Sequence, residues 1–249
     1  VAKTLTAKLL ARTVSVKFSR LQFTPDLMPS DVTGTSVYSL KTNEFEFRQG
    51  PIFASIVLID EINRAPAKTQ SALFESMEER QVTVDGKTYK LDVPFMVVAT
   101  QNPVDQEGTY RLPEAQLDRF LFKIKVDYPN LQQETKILQD FHSRKNSLQI
   151  ENVKSVMTAE QLTRYREKVY SLYVEPQLLH YIAQIVSQTR NNSSLHLGAS
   201  PRASLAILTS SKAIAAMRGR DFITPDDIRE VAIPVLQHRV MLTPEREME

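Results

Sequence analysis

Hydrophobic positions along the 249-residue chain change their period near residue 128. Before that point, short β-branched runs alternate with helical stretches. SVKFSRLQF (15–23), SIVLID (55–60), PFMVVAT (94–100) and LFKIKVDY (121–128) read as strands. Residues 4–12, 66–80 and 113–119 carry the spacing of amphipathic helices. Strands that alternate with helices predict a parallel sheet with helices on its faces. Two hairpins interrupt the alternation. VTVDGKTYKL (82–91) holds Asp85-Gly86 between alternating arms, the strongest short-range hairpin signal. TSVYSLKTNEFEFR (35–48) alternates through Phe45 and Phe47 after a polar break.

After Pro129 the pattern is helical throughout. LQQETKILQDFHSR, TAEQLTRYREKVYSL, PQLLHYIAQIVSQT, PRASLAILTSSKAIAAMR and PDDIREVAIPVLQHR each place apolar residues at helical spacing. Thr224-Pro225-Asp226-Asp227 sets a capping hydroxyl before a first-turn proline, with an acid three residues on. Ser200-Pro201 repeats the start. The chain therefore divides into an α/β unit, 1–129, and an all-helical unit, 130–249.

Composition narrows the function classes. Lys and Arg number 31 against 29 Asp and Glu, a net charge of +2. That balance argues for neither a nucleic-acid nor a membrane partner. The chain has no cysteine, which excludes disulfides and thiolate metal sites. His142, His180, His196 and His238 are too scattered for a zinc-ligand spacing. The longest apolar run, Ile52 to Ile59, broken by Ser55, is too short to span a bilayer. No targeting segment is visible, so the expected location is the cytoplasm. The chain starts at Val1, and the native protein is expected to start upstream of it.

Candidate chemistry concentrates in IVLIDEINR (56–64). Four apolar residues make a buried strand, and two acids end it. Buried unpaired carboxylates are costly, so Asp60 and Glu61 belong at the strand end, where a cation or water reaches them. Ligands of open parallel sheets bind outside the carboxyl ends of the strands. There Asp60 would hold magnesium and Glu61 would accept a proton from an attacking water. Two solvated acids closing a strand is the alternative for this short pattern. Lys3-Thr4 favours the first reading, because it opens a helix as the end of a phosphate-binding loop does. Such a lysine reaches the β- and γ-phosphates, and such a hydroxyl binds magnesium. Thr100-Gln101-Asn102 ends another strand, and an amide there can orient a water; Asn102-Pro103 is equally ordinary turn punctuation. Arg119 follows Asp118 and fits a surface ion pair. Arg202 falls in the first turn of a helix, where a cation opposes the dipole at a cost of roughly 0.3–1 kcal/mol. Either a phosphate over that terminus or an interhelical ion pair would compensate it.

Five stretches together are similar to the MoxR family of AAA+ ATPases: QFTPDLMPSDVTGT, FEFRQGPIF, LIDEINRAPAKTQSALFESMEERQVTVDG, ATQNPVDQEGTYRLPEAQLDRF and GASPRASLAIL. They fall in order and cover nearly all of the chain. The resemblance implies a P-loop NTPase core with a parallel sheet sandwiched by helices, followed by a small helical lid. It assigns Lys3 and Thr4 to the end of the Walker A loop, where the family tolerates Ala2 before the lysine. Asp60 and Glu61 match the Walker B acids, Asn102 sensor 1, and Arg202 sensor 2. Arg119 matches the arginine finger that completes a neighbouring subunit's site. The hairpins at 35–48 and 82–91 look like the helix-2 insert and the pre-sensor-1 hairpin, facing the pore or one face of a ring. Two departures stand out. Arg111 replaces the family's usual proline before LPEAQLDRF, and the first strand and phosphate-cradling glycines are missing from the amino end.

The expected function is hydrolysis of ATP with Mg²⁺, coupled to chaperone-like remodelling or metal insertion on a partner protein. The expected partners are further copies of the chain, as a hexameric ring, and a von Willebrand factor A domain protein. The rival expectation is a nucleic-acid-translocating motor of the helix-2-insert group. It calls for a basic pore hairpin, and VTVDGKTYK offers only Lys87 and Lys90 against Asp85.

Overall fold

A computed structural model of the chain describes residues 2–101, 110, 112–143 and 153–247. The chain opens with α1 (Ala2–Thr13), β1 (Phe18–Gln22) and α2 (Pro29–Thr33). A hairpin, β2 (Gly34–Ser39) and β3 (Glu44–Gln49), follows, then β4 (Ile56–Asp60) and a 3-10 turn at Ile62–Arg64. Next come α3 (Ala67–Glu79), a second hairpin of β5 (Gln81–Val84) and β6 (Lys87–Lys90), β7 (Met96–Ala99) and α4 (Glu114–Leu117). The helical unit holds α5 (Leu131–Ser143), α6 (Ala159–Tyr170) and α7 (Pro176–Arg190). It continues through β8 (Leu195–Leu197), α8 (Pro201–Met217), α9 (Pro225–Leu236), β9 (Met241–Leu242) and α10 (Pro244–Glu247).

The sheet is parallel, in the order β1-β4-β7. Its central strand is buried along its whole length, as the uninterrupted apolar run IVLI requires of a strand covered on both faces. The register pairs Gln22 of β1 with Asp60 of β4, so both strands end at the same level. Helix α1 packs on β4 through a face that includes Ala7 and Ala11. Leu73 and Phe74 of α3 join Phe23, Val57, Ile59 and Leu112 in one core. A second core gathers Ile182, Val186, Ile207, Ile228, Val231 and Val235 from α7, α8 and α9.

Both hairpins form. Asp85 and Gly86, with φ of 50° and 75°, supply the left-handed turn that the Asp-Gly pair predicts. At the base of the first hairpin Gly34 and Gly50 lie backbone to backbone. A Cβ on Gly50 would come within 2.4 Å of the Gly34 nitrogen. The rings of Phe47 and Tyr89 stack with centroids 4.2 Å apart, which clasps one hairpin to the other.

Two expectations change. Residues 121–128 form no strand. Their alternation suits one, but a strand needs a ladder partner for its amides. Here Lys123 N–H donates to Pro234 O at the end of α9, 3.0 Å away, and Ile124, Val126 and Tyr128 are exposed. The short pair β8–β9 stands in the unit expected to be all-helical, and its strands, LHL and ML, are too short to carry a pattern.

Caps at the helix starts follow the sequence. Ser200 Oγ accepts from the backbone N–H of Arg202 at 3.1 Å. Asp227, three residues after Thr224, accepts from the Thr224 backbone N–H at 2.8 Å. Asp227 is fully buried and also binds Arg218 and Arg220. The hydrogen bonds from Arg220 pull its carboxyl down from 3.8 to about 2, against the opposing effect of burial. Among the described residues no helix is long and apolar enough to cross a membrane.

Candidate functional site

The acid pair sits where the buried strand ends. Asp60 is 9% exposed, and its carboxylate accepts from Arg20 Nε at 2.7 Å and Thr100 Oγ1 at 3.3 Å. Glu61 adopts the left-handed backbone region, with φ 57° and ψ 52°. A glutamate there costs on the order of 1–3 kcal/mol, and such residues cluster where function constrains the chain. The surroundings hold it in place. Its N–H donates to Thr100 Oγ1 at 3.1 Å, and its carboxylate accepts from Gln22 Nε2 at 3.1 Å and Arg64 Nε at 2.9 Å. The turn that follows is fixed from beneath by buried Gln70, whose amide donates to Ile62 O and Ala65 O. Thr100 thus touches both acids from the neighbouring strand end.

Lys3 and Thr4 lie in the first turn of α1, the lysine exposed and the threonine half-buried. A short link joins the end of α1 to the start of β1, and α1 packs on β4, so the helix runs against the strands with its first turn on the side of the strand ends. No hydrogen bond or ion pair among the described residues joins Lys3 or Thr4 to the acids. Asn102 lies outside the described residues.

Arg119 and Arg202 form a second cluster. Both guanidiniums pair with one carboxylate, that of Glu78, Arg119 on Oε2 and Arg202 on Oε1. Glu78 is in the last turn of α3, and Arg202 is in the first turn of α8. Each charge opposes the dipole of its own helix, and each compensates the other. The interhelical ion pair is therefore what offsets Arg202 in this structure. Asp118, beside Arg119, accepts from Ser200 Oγ at 2.8 Å and lies 3.9 Å from Arg202 Nη1. No hydrogen bond or ion pair among the described residues links Arg119 or Arg202 to Lys3 or Asp60.

Several residues at these clusters carried no signal of their own. Arg20, Gln22, Gln70 and Glu78 lie far along the chain from the groups they hold. The period-2 spacing of Arg20 and Gln22 toward one face of an edge strand is the one local hint.

Comparisons with known proteins identify the family of the chain. Residues 1–122 match the ATPase family associated with various cellular activities (AAA), and residues 187–249 match the AAA lid domain. The chain is 49% identical to the uncharacterized protein YeaC of Bacillus subtilis, aligning over the whole chain and 77% of that protein. It is 44% identical to the chaperone MoxR1 of Mycobacterium tuberculosis, over 98% of the chain and 66% of the relative. A crystal structure from Cytophaga hutchinsonii, described as a candidate ATPase, superposes with a TM-score of 0.90. It shares 40% identity, over the whole chain and 77% of that protein. With a P-loop-type α/β core, a helical lid and these relatives, the chain belongs to the MoxR family of AAA+ ATPases.

Proposed function

We propose that the protein hydrolyses ATP at a site shared between neighbouring copies and uses the cycle to remodel a partner protein. One observation carries this reading: Asp60 and Glu61 close a fully buried central strand, and Thr100 holds both. In this reading Glu61 takes the proton of the attacking water. Gln22 and Arg64 aim its carboxylate. Lys3 and the free amides at the start of α1 receive the phosphates. Asn102 places the water, a role that rests on the family resemblance.

The residues present suit Mg²⁺. That ion takes oxygen ligands, keeps several waters, and needs only one or two protein groups beside the substrate phosphates. The Asp60 carboxylate and the Thr4 hydroxyl provide such a set. Bound there, the ion would neutralise phosphate charge. Arg20 pairs with the same Asp60 carboxylate at 2.7 Å, through Oδ2.

Arg119 serves the nucleotide of the adjacent copy, and Arg202, on the same Glu78 carboxylate, serves with it. This implies a ring, with six copies the family expectation. The similarity to a relative named as a chaperone supports a protein client. A von Willebrand factor A domain protein and assembly or metal insertion are the proposed partner and task. Glu61→Gln should bind ATP with near-parental affinity and lose about 10²–10⁴ in turnover, measured by nucleotide binding and phosphate release. Turnover close to that of the parent would remove Glu61 as the base.

A further inference from the structure

Arg239 follows α9 and is 6% exposed. All five N–H donors of its guanidinium have acceptors. Nε donates to Asp118 Oδ1 at 2.8 Å. Nη2 donates to Asp118 O at 3.0 Å and Phe120 O at 2.6 Å. Nη1 donates to Leu121 O at 3.2 Å and Val235 O at 2.5 Å. Four of those five acceptors belong to residues 118–121, and they include the carbonyls on either side of Arg119.

Further bonds from the lid reach the same segment. His238 Nε2 meets Phe120 O at 3.0 Å, Gln237 donates to Lys123 O, and Ser200 Oγ donates to Asp118 Oδ2. Toward the core, the Phe120 ring packs edge-on against Phe74, with centroids 5.8 Å apart, and the Arg119 side chain pairs with Glu78. The segment's backbone and the Asp118 carboxylate are thus held by the lid, while the Arg119 and Phe120 side chains face the core.

From this geometry we infer that Arg239 is the positioning residue that sets Arg119 against Arg202. It fixes the backbone on both sides of Arg119 to the end of α9. Ser200, through Asp118, fixes the same backbone to the first turn of α8, which carries Arg202. The two guanidiniums, one from the core and one from the lid, are thereby presented at a spacing that a single carboxylate bridges. A phosphoryl group with oxygens spread like those of Glu78 would meet both at once. Lysine cannot replace Arg239, because it lacks the planar fork that satisfies several carbonyls together.

The inference rests on the reading that Arg119 acts on a neighbouring copy, and its test separates the two. In the full-length protein, Arg239→Lys and Arg239→Met are assayed for ATP turnover alone and after mixing with Glu61→Gln subunits, with Arg119→Ala run in parallel. Misplacing the finger by about 1 Å should lower kcat about 100-fold, with KM for ATP changed less than about twofold. Glu61→Gln subunits, which carry intact fingers, should restore turnover to the Arg239 variants as they do to Arg119→Ala. The inference is overturned if Arg239→Lys keeps kcat within about threefold of the parent, a change too small for a displaced finger. It is also overturned if Arg119→Ala is rescued and a folded Arg239→Lys ring is not. If Arg119→Ala itself is not rescued, the shared site fails and takes this inference with it. Thermal melting and ring mass confirm that each variant assembles; should Arg239→Met not fold, Arg239→Lys decides.

Discussion

The strand-end acids and the core–lid joint are built from the same materials, carboxylates and guanidiniums, in opposite ways. At the strand end, the two acids are adjacent in sequence, and the sheet brings Arg20, Gln22 and Thr100 to them. At the joint, Glu78, Asp118, Arg202 and Arg239 come from four separate stretches, and nothing local joins them. The acids form a local site that tertiary contacts adjust. The joint exists only as tertiary structure. Under the function proposed above, the first would do chemistry in one copy, and the second would hold two arginines in a fixed relation for the site of another.

That contrast can be broken by mutation. The largest effect is expected from Arg119→Ala, which should lower turnover by about 10³–10⁵ while sparing nucleotide affinity. Turnover near the parental rate would place the finger's function elsewhere. Glu61→Gln should follow, with a loss of about 10²–10⁴. If its loss were confined to KM, the strand end would be a binding site and not the reacting one. Thr100→Val removes the hydroxyl that contacts both acids and should cost about 1–3 kcal/mol of stability in urea unfolding. An unchanged midpoint would show that Arg20, Gln22 and Arg64 hold the pair without Thr100.

The joint should respond differently. Glu78→Gln should alter stability by no more than about 1 kcal/mol, because its ion pairs are half-exposed and screened. A larger loss would make Glu78 a structural anchor and not a site that its two arginines can leave. The smallest effect concerns His238. Burial, chiefly, lowers its pKa below 6.5. The unfolded chain then binds the extra proton first, so this contribution is complete above pH 6.5 and falls as the pH drops through that value. Melting temperatures between pH 7.5 and 5 should show that slope, and His238→Asn should flatten it.

Much of the fold was legible because its signals are local. IVLI followed by Asp-Glu reads as a buried strand that ends in polar groups, and β4 is buried throughout. Asp85-Gly86 fixed a turn through backbone sterics alone. The failure at 121–128 has the opposite cause. Alternation measures the fitness of a segment to be a strand, while a strand also needs a neighbour, and α9 takes that backbone instead.

The sequence by itself determined the strand–helix alternation, the hairpins, the capped helices and the identity of the acid pair, because spacing and backbone sterics act over a few residues. Arg202 shows where that reach stops. Its place in the first turn of α8 demanded a counter-charge, and the chain alone offered two sources. Only the tertiary structure chose Glu78, gave that same carboxylate to Arg119, and closed Arg239 around the backbone between Asp118 and Leu121. Hydrogen bonds and ion pairs act at about 3 Å and are blind to sequence separation. The partners of a buried or misoriented charge are therefore settled by packing, after the elements that carry them are already formed.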